Sequence, residues 1–310
     1  MTKSKHPISP GNEPFQVQPQ SAVIRPTQPI ILDNVSDQVF DGQKMTIMAA
    51  DNQQTDTADH GDTLRLVKCS NVTIRNFTFN GNRDNRGGFA GSPVTIRLNG
   101  CTDIVIENCI FLNGVCADIF LWCYASPQDP NDHCTRVTIR NNVFRDPGRS
   151  SVEVIHGREI YIEDNDFADA NTSDPWSAVD IEPNSGDAVG ITGDITVSRN
   201  FVRRCGEGMA VRGRWTGVER VVFESNDIRD CRGDGLYCEA MGTTVAGTIG
   251  RSNGGFDVNV SNADACHILG NDCESIYADT GTYDTPVGHI LRANIGKVNT
   301  QYARGNTVVS

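Results

Sequence analysis

An all-β solenoid, a right-handed parallel β-helix, is the fold class that this 310-residue sequence predicts, on three observations. A strand phrase recurs along the chain, a file of asparagines follows it, and a turn-rich composition with 30 glycines and 7% aromatics suits many short strands. The phrase runs from Val72 to Phe79, from Ile104 to Phe111 and from Val137 to Phe144. It returns as Ile160 to Phe167, Ile195 to Val202, Val221 to Ile228 and, more weakly, Cys266 to Cys273. The intervals, roughly 23 to 45 residues, fit one coil plus insertions.

The elements follow in chain order. Residues 1–29, with Pro7, Pro10, Pro14, Pro19, Pro26 and Pro29, read as an extended lead-in or linker, and residues 30–310 as the solenoid domain. Alternation within each phrase turns one strand face inward. Asn142, Asn165, Asn200, Asn226 and Asn271 then share one corner position, where stacked amides bond coil to coil. Cys69, Cys101 and Cys134 open near-identical phrases, which predicts that the odd-numbered set of eleven cysteines is reduced and that these three stack in the core. A second strand follows in each coil: Val94–Arg97, Ile119–Trp122, Val152–Ile155, Val179–Glu182, Met209–Arg212 and Leu236–Glu239. Thr243 to Gly255, rich in Gly, Thr and Ser, reads as a loop or slackened coil, and Ile290 to Val309 as a closing coil or cap.

Charge and missing motifs exclude several classes. A net charge of -12 argues against a nucleic-acid partner. No run approaches the roughly 18 apolar residues of a membrane span, and Met1 to Pro10 has no signal-peptide core, so neither a membrane nor a signal-directed route is expected. A Gly-rich phosphate loop, a His-Glu-x-x-His pair and a Gly-x-Ser-x-Gly elbow are absent from the sequence. Glu163 to Asp166 alternate in direction and belong to the corner, so no metal is expected there, and no cofactor is implied.

These phrases, with Val179-Asp180-Ile181-Glu182-Pro183-Asn184, resemble the pectate-lyase-like superfamily of right-handed β-helix proteins over about Ile31 to Asn306. That superfamily includes polysaccharide lyases, hydrolases, epimerases and phage tailspike depolymerases. The resemblance implies a polysaccharide or oligosaccharide partner. Likeness to tailspikes implies a homotrimer and a virion-associated or extracellular place reached without a signal peptide. The Gly-Asp-Gly-rich opening of many relatives is missing here.

If Val94/Ile96, Ile119/Leu121, Val152/Val154, Val179/Ile181, Met209/Val211 and Leu236/Cys238 point inward, the outward residues form two columns. One reads Thr95, Phe120, Glu153, Asp180, Ala210, Tyr237; the other reads Arg97, Trp122, Ile155, Glu182, Arg212, Glu239. Carboxylates, aromatic rings and guanidiniums are the groups a sugar site needs. Asp180 and Glu182 are the expected acid/base pair, with Glu153 as a third carboxylate whose proximity to Asp180 raises one pKa. Arg212, Arg214, Tyr237, Glu239, Trp122 and His156 are the expected substrate-binding residues, with Trp215 beside Arg214 on the rim.

Plainer readings exist for the same residues. Glu182, Arg212 and Glu239 would form a salt-bridge ladder in any solenoid. Trp122 and Phe120 would pack beneath the insertion Ser126 to His133, and His156 would make a structural hydrogen bond. Three functions follow. The first is a glycoside hydrolase, the second a lyase or epimerase using Arg212, Tyr237 or His156 on a uronate sugar, and the third a non-catalytic carbohydrate-binding or structural module.

Overall fold

The computed structural model describes residues 22–51, 61–86, 93–170, 176–184, 192–213, 218–263, 265–280, 290–292, 294–299 and 307–309. Every strand pairing among them is parallel, each strand with the equivalent strand of the coils before and after it. Three stacks result, and they are the three faces of a parallel β-helix. The first face stacks eleven strands from Ser36–Asp41 to Thr307–Val309 and includes Ser70–Arg75, Thr102–Glu107 and Cys134–Arg140. The second stacks short strands such as Thr78–Asn80, Ile110–Leu112 and Val143–Arg145. The third runs through Ile96–Asn99, Ile119–Trp122, Val152–Val154, Ser177–Ile181, Glu207–Val211 and Leu236–Cys238. No helix among the described residues is long and apolar enough to cross a membrane.

Each recurrent phrase is thus two strands around a corner. The residue at the bend lies in left-handed backbone: Asn76, Asn108, Asn141, Asp164, Arg199 and Ser225 have φ between 53° and 59°. Asn and Asp adopt that conformation most readily among residues with a Cβ. Beside it runs the asparagine ladder. Asn142 donates its backbone N–H and its amide to Asn165 Oδ1 at 2.9 and 3.1 Å, Asn165 does the same to Asn200 at 3.0 Å each, and Asn200 to Asn226 at 3.0 and 3.1 Å. Each amide also donates to a carbonyl of the preceding coil, as Asn165 does to Ile139 at 2.9 Å. The ladder extends beyond the sequence reading to Asn294, which accepts from Asn271 at 2.9 and 3.0 Å.

The interior is filled in files. Phe79, Phe111, Phe144 and Phe167 stack with centroids 4.7–5.2 Å apart. Leu64, Ile96, Ile119, Val152, Val179, Met209, Leu236, Val258 and Ile276 form an aliphatic file under the third face. All eleven cysteines are free and buried, and the Cys69, Cys101 and Cys134 thiols donate to carbonyls of the preceding coil at 3.3–3.4 Å.

Three local readings change. Val23–Ile24, inside the expected lead-in, already pairs with Thr46–Met48. Thr243 to Gly255 is regular: Thr244–Ala246 and Ile249–Arg251 continue the stacks. Glycine is required at position 250 because the buried Asp257 occupies the space that a side chain there would need. Finally, Ile96, not Val94, aligns with Ile119, so Arg97 rather than Thr95 stands beside Phe120. A slip of two residues keeps the inward face and changes only the partner, so alternation cannot detect it.

Candidate active site on the third face

The outer surface of the third face carries the expected carboxylates in register. Phe120 pairs with Glu153, Glu153 with Asp180, Asp180 with Ala210, and Ala210 with Tyr237. Strand alternation puts Val152, Val154, Val179 and Ile181 in the core, so Glu153 and Asp180 point out of it. They are nevertheless covered, Glu153 being 0% and Asp180 1% exposed, which corrects the water-facing placement expected from the strands alone. The cover comes from turns and from arginines. Arg149, four residues before Glu153, meets Glu153 Oε2 at 2.7 Å and reaches Glu182 at 3.6 Å. Arg212 meets Asp180 Oδ1 at 3.3 Å and also binds Glu207. Arg149 and Glu207 are members of the site that sequence reasoning missed, since neither lies at an outward strand position read there.

Burial governs the electrostatics. Taking Glu153 out of water pushes its pKa up to about 7, with Arg149 pulling the other way, and its Oε1 has no hydrogen-bond partner. Burial likewise raises Asp180 well above the usual carboxylate range, opposed by Arg212 and reinforced by Glu153 and Glu182. The two acids sit on successive rungs, about 4.8 Å apart along the axis. Glu182, whose side chain is 41% exposed, is far more open to solvent than Glu153 or Asp180. Asp118, on the coil before Glu153, is also buried with a raised pKa, caused by desolvation; Thr95 Oγ1 donates to it at 3.3 Å.

The flanks divide by chemistry. Toward the N-terminal end, the buried Asp62 holds Arg97 at 2.7 Å and Arg65 at 2.9 Å, and the Arg97 guanidinium lies 4.7 Å from the Phe120 ring centre. Phe120 stacks on Trp122 at 5.5 Å, and Trp122 takes the edge of His156 at 4.7 Å. His156 is fully buried, accepts the Cys123 N–H on Nδ1 at 3.3 Å and lies 5.0 Å from His133, at the end of the Ser126–His133 insertion. It is therefore packed against the Trp122 ring. Ile155, expected to face outward, is buried as well. Toward the C-terminal end, the Arg212 guanidinium lies 5.3 Å from the Tyr237 ring centre, and the Tyr237 hydroxyl donates to Glu239. Burial and that bond hold the Tyr237 phenol above its ordinary pKa. The ladder Glu182–Arg212–Glu239 expected of a plain solenoid is thus replaced by separate pairings. Arg214 and Trp215 lie outside the described residues.

The sequence profile of the family described as "Right handed beta helix region" matches residues 129–288. Among curated proteins none matches the sequence. Solved structures share the architecture. The A-module of the mannuronan C-5 epimerase AlgE4 from Azotobacter vinelandii is similar at 16% identity over 92% of this chain and 79% of that one, with a TM-score of 0.66. The exopolygalacturonase of Thermotoga maritima is similar at 13% identity over 92% and 82%, with a TM-score of 0.54. The tailspike of E. coli bacteriophage HK620, solved with a pentasaccharide, is similar at 10% identity over 90% and 56%, with a TM-score of 0.51. Identities this low establish the fold alone.

Proposed function

The chain belongs to the right-handed β-helix family, and from that premise we propose that its third face processes a glycan, by hydrolysis at the cluster of Glu153, Asp180 and Glu182. The observation that carries this reading is the pair of adjacent buried acids, Glu153 and Asp180, both with raised pKa values, under two arginines and beside the more open Glu182. A carboxyl that keeps its proton near neutrality can protonate a glycosidic oxygen, and a partly solvated carboxylate two residues away can activate water. Asp180 is assigned the acid, held to its proton chiefly by burial, Glu182 the base, and Glu153 the neighbouring acid whose charge, where ionised, adds to that effect. Arg149 and Arg212 pair with the acids and are partly exposed, so they are placed to hold sugar hydroxyls beside them. Names of structural neighbours add support: one acts on mannuronan, one on polygalacturonate, and one was solved with a pentasaccharide.

The same geometry weighs against a lyase or epimerase that uses His156 or Tyr237; Arg212, the third residue considered for it, is paired with Asp180 and Glu207. His156 is fully buried against the Trp122 ring, and the Tyr237 phenol is held to its proton by burial and by Glu239. Asp180→Asn is the direct test. It should reduce the release of reducing ends from a cleaved glycan at least a hundredfold, the scale of a lost general acid, while circular dichroism stays unchanged. A rate equal to the wild type's would remove Asp180 from the chemistry. Products absorbing in the ultraviolet would instead assign the reaction to a lyase, and firm glycan binding without turnover would make the face a binding surface.

A further inference from the structure

Past Asp180 the outward column continues through Ala210, Tyr237, Asn259 and Tyr277, one residue per rung. Two residues beyond Tyr237, Asn259 and Tyr277 stand Glu239, Ser261 and Asp279, and each pair is tied by a side-chain hydrogen bond. Both tyrosines are half-buried, and Tyr277 stacks on Phe256 with centroids 5.0 Å apart and planes at 24°. At about 4.8 Å per rung, the two phenol rings lie roughly 10 Å apart along the helix axis. Half-buried rings interleaved with an amide, a hydroxyl and carboxylates suit a pyranose, whose C–H face packs on an aromatic and whose hydroxyls bond the polar groups. Asp279 Oδ1, beside the Tyr277 ring, is buried with no hydrogen-bond partner.

Charge narrows the sugar. On these two columns the ionisable side chains beyond Asp180 are Arg212, Glu239 and Asp279, besides the tyrosine phenols, and Arg212 is engaged by Asp180 and Glu207. Carboxylated or sulfated units would meet the like charges of Glu239 and Asp279. We propose that the stretch from Tyr237 to Tyr277 is a distal subsite for neutral pyranose units of a linear glycan lying along the helix axis, with its reacting bond at Asp180. The proposal deepens the glycan-processing reading and rests on it for the identity of the reacting end.

Affinity electrophoresis in native gels tests it, with hydroxyethylcellulose and galactomannan as neutral probes and alginate and polygalacturonate as anionic ones. The wild type should be retarded by a neutral polymer. Tyr277→Ala should weaken that retardation about three- to tenfold, the range for one aromatic stacking partner. Tyr277→Leu, which keeps apolar bulk against Phe256, should show the same loss if the alanine variant folds poorly. Tyr161→Ala, which alters an exposed tyrosine on the first face, should match the wild type. Retardation by anionic polymers alone, or by no polymer, overturns the proposal, as does wild-type affinity in both Tyr277→Ala and Tyr277→Leu. If Asp180→Asn abolishes turnover while the Tyr277 variants bind normally, the subsite falls and the catalytic reading stands. If the Tyr277 variants lose binding while Asp180→Asn turns over normally, the reverse holds.

Discussion

Glu153 shows how one buried carboxyl ties stability to pH. Its folded pKa of about 7 lies above the reference value of 4.5, so the folded state retains a proton that the unfolded chain gives up between those values. The stabilisation is therefore present in full below about pH 4.5 and is lost as the pH rises through about 7. A difference of that size corresponds to roughly 3 kcal/mol for a fully buried group. Asp180, raised by burial in the same direction, adds to the effect. Urea midpoints of the wild type should thus fall between pH 5 and pH 8, and Glu153→Gln should flatten the fall, because an amide of the same shape stays neutral throughout. Parallel curves for the two proteins would mean that Glu153 does not carry the proton. This behaviour was hidden from the sequence. The register correctly set Glu153 beside Asp180, but Arg149 covers Glu153 from the turn before its strand, and turns have no period from which their reach can be read.

At the scale of the element, the corner ladder was legible because the phrase fixes its position: a strand of alternating apolar residues, a left-handed bend, then asparagine. Asn294 escaped because the phrase fades in the last coil. The ladder also has an interruption with consequences. Asp227 pairs with Ile249 and Ile249 with Asp272, so Asn226, Thr248 and Asn271 occupy one file. Thr248 donates its N–H to Asn271 at 2.8 Å, yet its buried Oγ1 has no partner. An asparagine there would repeat the pattern of its neighbours, accepting from the Asn226 N–H and donating to the Phe223 carbonyl. Thr248→Asn should raise the urea unfolding free energy by about 1 kcal/mol. Asn165→Ala should lower it by about 2–4 kcal/mol, since it strips the partners of the Asn142 N–H and the Ile139 carbonyl, both buried. Equal stability of Asn165→Ala and the wild type would show that the ladder follows the coil geometry without supporting it.

The whole molecule is a one-dimensional stack, so each coil must bury its interior against its neighbours. That constraint made the fold readable: inward valines, isoleucines and phenylalanines recur at fixed places in every turn. It also explains the cysteines. Ser70 pairs with Thr102, and Thr102 with Thr135, which sets Cys69, Cys101 and Cys134 on successive rungs of one file. Their role there is small apolar filling with a weak donor directed at a carbonyl. Burial pushes the thiols of Cys134 up to about 11 and of Cys109, Cys116 and Cys273 up to about 12, which suppresses the reactive thiolate there. Hydrogen bonds from neighbouring groups instead hold Cys69 and, against burial, Cys238 below the ordinary thiol value, which leaves their burial as the barrier to reagent. Ellman's reagent should therefore find almost no reactive thiol in the folded protein and all eleven in denaturant without reductant. A denatured count two or more short would mean that stacked thiols on neighbouring rungs have closed into disulfides. Such bridges would bind coil to coil along the axis, and the melting temperature would then fall on addition of reductant, whereas a solenoid held by packing and its asparagine ladder melts at the same temperature with or without it.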